Sequence, residues 1–155
     1  MESLRFALTF ACALGCGLIA GVFFAFSSFV MRALARIPPA QGIAAMQSIN
    51  RVVINPFFLA VFLGTAAGSI LLSLLMWAQP GAAKILTGSL LYLAGTILVT
   101  TSCNIPRNEA LAAVDPVSPD AARQWTTYVR DWTFWNHVRT VAALAAAGSF
   151  TIALG

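Results

Sequence analysis

The chain has 155 residues, of which 59% are hydrophobic and 9% are charged, and its net charge is +4. Ordinary soluble domains carry about a quarter of charged residues, so this composition excludes most water-soluble folds and favours an integral membrane protein. The basic residues are scattered singly along the chain, which argues against nucleic-acid binding. Because no linker or shift in composition divides the sequence, we expect a single domain over residues 1–155.

Four apolar segments are each long enough to cross a bilayer, since roughly 20 helical residues span the ~30 Å hydrocarbon core. They contain no Asp, Glu or Lys, and Arg139 is the one charged residue among them. The segments are residues 6–31, 56–77, 85–103 and 138–154. The first is too long for the apolar part of a signal peptide, which has about 7–15 residues, so we predict that it is the first membrane helix. The predicted fold is therefore all-α, a bundle of four transmembrane helices.

Glycine pairs spaced four residues apart occur in the first two predicted helices. These pairs are Gly17 with Gly21 and Gly64 with Gly68. Such spacing lets helix backbones approach closely inside a membrane. It fits packing within one chain, and it also fits a homo-oligomer that uses either pair.

The segment between the first two helices contains an amphipathic stretch at residues 41–54, after Pro38 and Pro39. Its apolar face predicts an interfacial helix at the headgroups. The residues near that face are Ile43, Met46, Ile49, Asn50 and Val53. Asn55 followed by Pro56 is typical of a helix start, with Asn as the N-cap.

The segment between the third and fourth helices places aromatic residues on a single helical stripe, at offsets 0, 3, 7 and 10. They are Trp125, Tyr128, Trp132 and Trp135. This stripe predicts a second interfacial helix, and an aromatic belt at the membrane surface is one explanation for it. A belt does not explain the amides and cations beside these rings.

Basic residues favour one side of the predicted membrane, six against two. The two long connecting segments hold Arg32, Arg36, Arg51, Arg107, Arg123 and Arg130, whereas the other side holds Arg5 and Lys84. By the positive-inside rule, both long loops are expected in the cytoplasm and both termini outside, in a bacterial-type inner membrane.

A cluster of polar residues around the start of the fourth helix is the candidate site. Trp132, Asn136 and Arg139 are spaced i, i+4 and i+7 and share a helical face, and His137 is next to that face. Arg139 could instead extend its side chain outward to the membrane surface. His137 could instead be structural.

Asparagines at the ends of different helices gather on the same side of the membrane as this cluster. They are Asn50, Asn55, Asn104, Asn108 and Asn136. Buried amides are costly unless they are hydrogen-bonded, so five near one boundary indicate either a set of caps or a polar pocket. A pocket walled by Trp132, Trp135 and Phe57 would suit a flat aromatic ligand.

Four motifs resemble the anthrone oxygenase family of small four-helix membrane proteins. They are residues 21–27 (GVFFAFS), residues 45–50 (AMQSIN) with Asn55-Pro56, residues 104–108 (NIPRN), and Trp132-x-x-Trp135-Asn136-His137-x-Arg139. Members in fungal polyketide pathways oxidise an anthrone to an anthraquinone with molecular oxygen and with no metal or flavin. The resemblance thus implies a cofactor-independent oxidoreductase, an oxygenase whose substrate is an anthrone or a similar electron-rich phenol.

Motif spacing and this likeness together suggest a role for each candidate residue. We assign His137 as the base and Arg139 as the partner of the enolate or peroxide oxygen. Asn136 and Asn104 would bond the substrate oxygens. The further substrate-binding candidates are Trp132 and Trp135, which would stack on the rings, together with Asn50 and Asn108.

Two other functions fit the same residues. A non-catalytic membrane subunit or hydrophobic-ligand-binding protein would use them as a recognition surface. A redox carrier would bind haem or quinone there, although one histidine and separated cysteines make no convincing metal site. A transporter is disfavoured, because the predicted helices contain no carboxylate.

Overall fold

A computed structural model describes residues 2–155, and all regular secondary structure in that range is helical. The predicted all-α class is therefore confirmed. There are five helices, which are α1 (Glu2–Leu34), α2 (Pro39–Val52), α3 (Pro56–Met76), α4 (Ala82–Ala112) and α5 (Ala121–Ile152).

Three helices, α1, α3 and α4, are long and apolar enough to cross a membrane, which is consistent with an integral membrane protein. They contain the first three predicted spans except Trp77, which follows the end of α3. The fourth predicted span is the C-terminal half of α5, a helix that does not meet the same criterion of length and apolarity. The polar side chains of Asn136, His137 and Arg139 lie at the start of that half and lower its mean hydropathy.

The four long helices pack side by side, with α5 against α1 and α4, and with α3 against the same two helices. Small residues allow the closest approaches. A Cβ atom added at Gly15 would overlap the side chain of Thr65, and one at Gly95 would overlap Ala142. These contacts bring α1 close to α3 and α4 close to α5.

The predicted glycine pairs contribute little to this packing. A Cβ atom at Gly17, Gly21 or Gly64 would meet nothing within 4 Å in the part of the chain that the structure describes, whereas one at Gly68 would lie 2.9 Å from the sulfur of Cys12. Packing within the chain therefore accounts for Gly68 but not for its three counterparts, and an oligomer interface at the exposed pair on α1 stays a prediction.

Helix α2 packs across the N-terminal half of α5 and forms a second apolar core beside the long helices. Its buried Ile43 and Met46 are part of the amphipathic face predicted from the sequence. In α5, Trp125, Tyr128 and Trp132 are buried and stacked, with ring centroids 5.7 and 6.1 Å apart. This part of the aromatic stripe is thus core.

The start of α3 has the cap expected from its sequence. The Phe58 backbone N–H donates to Asn55 Oδ1 at 3.1 Å, and Pro56 occupies the first turn. The cap fixes a sharp turn between α2 and α3, because Val53, Ile54 and Asn55 are the residues that separate the two helices.

Irregular helical turns occur at one end of the long helices. α1 has a π-helical segment at Phe26–Val30, and α4 has two, at Leu93–Leu98 and Thr100–Asn104. The last one precedes Pro106, whose ring would clash with the carbonyl four residues earlier in a regular α-helix. The wider turn lets α4 continue through the proline to Ala112, beyond the predicted end of the span at Cys103. Such π-bulges are frequent at functional sites.

Alanine at Gly15 should destabilise the fold, because its methyl group would displace Thr65 between α1 and α3. We expect a loss of about 1–3 kcal/mol, measured as a lower midpoint of thermal unfolding in detergent. Gly17→Ala, two residues away on the same helix, is the matched control and should not lower the midpoint. Equal effects of the two substitutions would contradict this account of the packing.

Candidate functional site

The centre of the candidate site is the guanidinium of Arg139, which α5 carries between the other long helices with only 5% of the residue exposed. Nη2 donates to Asn136 Oδ1 at 2.7 Å, and Nη1 donates to Thr100 Oγ1 at 3.2 Å. Nε has no hydrogen-bond partner within residues 2–155. Neutral groups thus accept from two of the five N–H groups of the guanidinium, and the other three, Nε–H among them, have no partner within residues 2–155.

Arg139 also lacks a carboxylate partner. Within the described residues the ion pairs are Arg123–Asp120 and Arg130–Asp131, and both are solvent-exposed. The Arg139 guanidinium instead lies over the ring of Phe23, 4.2 Å from its centroid, and 5.2 Å from a ring of Trp132. Cation–π contacts offset part of the cost of burial, but a desolvated cation without a counterion is suited to bind an anion.

Asn136 anchors this arginine. Its Nδ2 donates to the Phe23 carbonyl and to Ser27 Oγ, both at 2.7 Å, while its Oδ1 accepts the bond from Arg139. The Ser27 hydroxyl lies 3.0 Å from Thr140 Oγ1. Because the whole amide is committed to these partners, Asn136 positions Arg139 and ties α5 to the π-helical segment of α1.

A second amide, Asn108, has a fixed orientation. The Trp132 indole N–H donates to Asn108 Oδ1 at 2.8 Å, and the Tyr128 hydroxyl donates to the same oxygen at 2.9 Å. An indole nitrogen can only donate, so the atom that it contacts must be the amide oxygen. Asn108 Nδ2 makes no hydrogen bond within the described chain, and it is therefore a free donor.

Tyr128 connects this group to α2. Asn50 Nδ2 donates to the Tyr128 hydroxyl at 3.4 Å, which leaves Asn50 Oδ1 as an acceptor without a partner in residues 2–155. Burial raises the pKa of the Tyr128 hydroxyl above its ordinary value, so that group keeps its proton and its role as a donor to Asn108.

An apolar cavity of about 250 Å³ lies beside these groups. Its polar lining consists of Arg139, Asn108, Asn50 and Thr100. The apolar lining is formed by Val22, Phe23, Phe26, Met46, Ile49, Val53, Ile54, Phe58, Leu59, Phe62, Ile105 and Trp132. This combination suits a small, mostly apolar ligand with oxygen atoms at one edge, although drug-sized ligands usually occupy about 300–1,000 Å³. No three His, Cys, Asp or Glu side chains in residues 2–155 are close enough to ligate a metal ion.

A second cavity, of about 390 Å³, lies between the end of α4 and the start of α5. Its lining is more polar and includes Arg107, Arg123, Thr127 and Asp131. Tyr128 also lines it, and the Tyr128 hydroxyl bonds to Asn108, which lines the apolar cavity. We call the two spaces the apolar cavity and the outer cavity.

The structure brings together four of the residues proposed from the sequence, since Asn50, Asn108, Trp132 and Arg139 line the apolar cavity. Two more are buried close to it. Asn136 contacts Arg139, and Asn104 Nδ2 donates to the Trp132 carbonyl at 3.2 Å.

The remaining candidates lie outside the cavity. His137 is exposed, and Trp135 is half-buried with its ring packed edge-on against Phe134. Trp135 is one turn before Arg139, but its ring contacts Phe134 and does not line the cavity. Each residue turns an α-helix by about 100°, so His137, two residues before Arg139, faces about 160° away from it. For a similar reason Phe57 is 86% exposed, whereas its neighbour Phe58 lines the cavity.

Three residues at the site were not proposed from the sequence, namely Phe23, Ser27 and Thr100. Phe23 and Ser27 lie one turn apart in the first motif, and this spacing was the available signal. Thr100 had no such signal, because its contact with Arg139 depends on the π-helical turn of α4.

Comparison with known proteins adds one finding. The family model described as anthrone oxygenase matches residues 46–149, which is more than half of the chain. The matched range includes Asn50, Thr100, Asn108, Trp132 and Arg139. No curated protein and no solved structure matches the chain.

Replacing Asn136 with Leu should destabilise the protein, because it leaves the Phe23 carbonyl and an Arg139 N–H without their partners in a buried site. Each such group costs about 1–3 kcal/mol, so the midpoint of thermal unfolding in detergent should fall clearly. The control is His137→Leu at the neighbouring exposed position, where we expect a change within about 0.5 kcal/mol. Similar midpoints for both variants would contradict the role given to Asn136.

Proposed function

The chain belongs to the anthrone oxygenase family, and from this premise we propose that it oxidises an anthrone-like phenolic substrate to a quinone with O₂ and without a cofactor. The observation that carries the proposal is the buried Arg139 guanidinium, which has no counterion in residues 2–155 and lines an apolar cavity. Such a cation can hold the oxygen of an electron-rich enolate.

The proposed reaction begins with the substrate as its enolate. Loss of one proton from the central methylene of an anthrone gives a delocalised anion whose charge is mostly on the carbonyl oxygen. Arg139, which lines the cavity, would bind this oxygen through a guanidinium N–H that no protein group accepts, and Asn108 would donate a second hydrogen bond from Nδ2. Both donors are held in place before the charge develops, and electrostatic stabilisation of this kind requires such an arrangement.

The enolate then transfers one electron to O₂, which gives a carbon-centred radical and superoxide. The two radicals combine through a new C–O bond at the central carbon, and the resulting peroxide takes up a proton. Breaking the O–O bond and the remaining C–H bond releases water and leaves the second carbonyl group. One anthrone and one O₂ therefore give one quinone and one water.

The first proton requires an acceptor, and within residues 2–155 no carboxylate or imidazole lines the apolar cavity. We therefore propose that the proton is lost to water or buffer, and that Arg139 promotes the loss by stabilising the anion. His137, which the sequence suggested as the base, is exposed on another face of α5. The His137→Ala variant tests whether its imidazole contributes to the rate.

The remaining lining would select and orient the ring system. Asn50 Oδ1 would accept a hydrogen bond from a phenolic hydroxyl beside the enolate oxygen, since Asn50 lines the cavity and its Nδ2 bonds to Tyr128. Phe26, Phe58 and Phe62 supply an apolar wall. O₂ is itself apolar and dissolves readily in such surroundings.

We further propose that residues 138–154 form a fourth membrane crossing, with α2 and the N-terminal half of α5 in the headgroup region. The long connections carry most of the cations and would lie in the cytoplasm, and both termini would lie outside. The burial of Arg139 and Asn136 among the other helices explains how α5 tolerates polar groups at that depth.

A binding protein is the alternative from another functional class. The same cavity and cation would hold an aromatic anion without oxidising it, as in a non-catalytic membrane subunit. Uptake of oxygen by the purified protein in the presence of an anthrone such as emodin anthrone separates the two functions, since binding alone consumes no O₂.

Arg139→Gln should lower kcat/KM for anthrone oxidation by about 10²–10³-fold, because loss of one preorganised oxyanion donor commonly costs that much. The rate is measured as oxygen uptake together with quinone absorbance. Arg130→Gln removes an exposed cation from the same helix and is the matched control, with no expected loss. Equal rates for the two variants would refute the proposed role of Arg139.

His137→Ala tests the proton acceptor. If water or buffer takes the proton, this variant should retain the parent's rate, and the rate of both should follow the ionisation of the substrate as the pH rises. A large loss of activity in His137→Ala, with the thermal midpoint unchanged, would assign His137 to the reaction after all.

Labelling of an introduced exposed cysteine tests the membrane orientation, because the native Cys12 and Cys16 are buried. In a Cys103→Ser background, Trp77→Cys at the α3–α4 turn should react with an impermeant thiol reagent added outside intact cells. Val117→Cys, in the exposed α4–α5 connection, should react only after the membrane is permeabilised. The reverse pattern would invert the proposed orientation.

A further inference from the structure

The polar groups of the apolar cavity lie on its inner side, away from the protein surface. Its polar lining residues, Asn50, Thr100, Asn108 and Arg139, are all buried or half-buried. The lining residues that are exposed are all apolar, with Val22 at 38%, Ile54 at 70% and Ile105 at 40%. The cavity therefore reaches the protein surface through hydrophobic side chains and is most polar at its inner wall.

The packing of the helices explains this opening. The contacts between α3 and α4 are concentrated at Ala82–Tyr92, near the turn that connects the two helices. Toward the other end the two helices diverge, where α4 has its π-helical segments and α3 begins at the capped turn after Ile54. The rim thus combines α1, the α2–α3 turn and α4.

The outer surface around this rim is also hydrophobic. Val52 is 70% exposed and Phe57 is 86% exposed, and both flank the turn that carries Ile54. Exposed apolar side chains are costly in water, but not at the depth of lipid acyl chains. The surroundings of the rim therefore match the bilayer interior rather than an aqueous compartment.

We propose that the ligand enters the apolar cavity sideways from the bilayer, through the rim formed by Val22, Ile54 and Ile105. The ligand class is a flat aromatic molecule dissolved in the membrane with one acidic oxygen, and that oxygen enters first and stops at Arg139. The proposal uses the cavity of the proposed function, but it concerns access and holds whether or not the ligand is then oxidised.

The competing route leads from water through the outer cavity. That space is lined by Arg107, Thr127 and Asp131, which are typical of a hydrated surface. Between the two cavities lie the hydrogen bonds from Tyr128 and Trp132 to Asn108, so an aqueous route would require these bonds to break. The bilayer route breaks no hydrogen bond described for residues 2–155.

The test measures how fast 1,8-dihydroxyanthraquinone binds to the protein in lipid nanodiscs, by stopped-flow absorbance. This molecule is already a quinone and is not turned over. Ile54→Trp and Ile105→Trp narrow the rim, and each should slow association about tenfold, which corresponds to about 1.4 kcal/mol in the barrier to entry. Dissociation should slow as well, because the ligand leaves through the same rim. Ile54→Ala should accelerate both rates.

Two control variants show whether the effect is specific to the rim. Phe57→Trp enlarges an exposed side chain near the rim that does not line the cavity, and it should leave both rates unchanged. Thr127→Trp narrows the outer cavity and should also have no effect. Slower binding in Thr127→Trp, together with unchanged rates in all three rim variants, would overturn the proposal in favour of access from water.

The outcome is independent of the oxygenase assignment. If the rim variants bind slowly but the parent protein consumes no O₂ with an anthrone, the proposed function fails and the access route stands. If the parent oxidises an anthrone and the rim variants bind as fast as it does, including Ile54→Ala, the access route fails alone. The thermal midpoint of each variant shows whether it is folded. If the Trp variants are misfolded, Ile54→Ala still tests the access route, because a smaller side chain creates no clash.

Discussion

The structure depends on a guanidinium that has been removed from water without a carboxylate to neutralise it. Three helices supply the contacts that offset the burial of Arg139. α1 offers the face of Phe23, α4 the hydroxyl of Thr100, and α5 itself the amide of Asn136 and the indole of Trp132. Neutral partners of this kind hold the cation in position without cancelling its charge. The positive charge of Arg139 is therefore not neutralised, and it can attract an anionic oxygen of a ligand in the adjoining cavity.

Irregular helix geometry gives this site its shape. The π-helical segments of α1 and α4 lie at the same end of the molecule and carry Ser27, Thr100 and Asn104. Each wide turn shifts the side chains that follow it, so groups that regular helices would direct elsewhere meet around α5. The same shift lets α4 pass through Pro106 and brings Asn108 under Trp132 and Tyr128. The π-helical segments thus determine which side chains reach the candidate site.

The sequence was sufficient for the helices and for half of the site. Long apolar runs fix membrane-length helices whatever their neighbours, and the spacing of Trp132, Asn136 and Arg139 follows from helical periodicity alone. Periodicity also shows why His137, two residues before Arg139, leaves the face that carries it, whereas it does not explain why Trp135, one turn before Arg139, stays out of the cavity. The contributions of Phe23 and Thr100 depend on which helices are neighbours and on where a π-turn interrupts them. Neither fact is encoded in a local pattern.

The contact of the Arg139 guanidinium with the rings of Phe23 and Trp132 has a consequence for the choice of residue at this position. A lysine would bring a compact ammonium with no planar face to stack, and in these dry surroundings it would readily release its proton and become neutral. Guanidinium keeps its charge over the whole biological range. Lysine, the nearest natural substitute by charge, would therefore leave a chain that folds with an uncharged amine where the fixed positive charge had been.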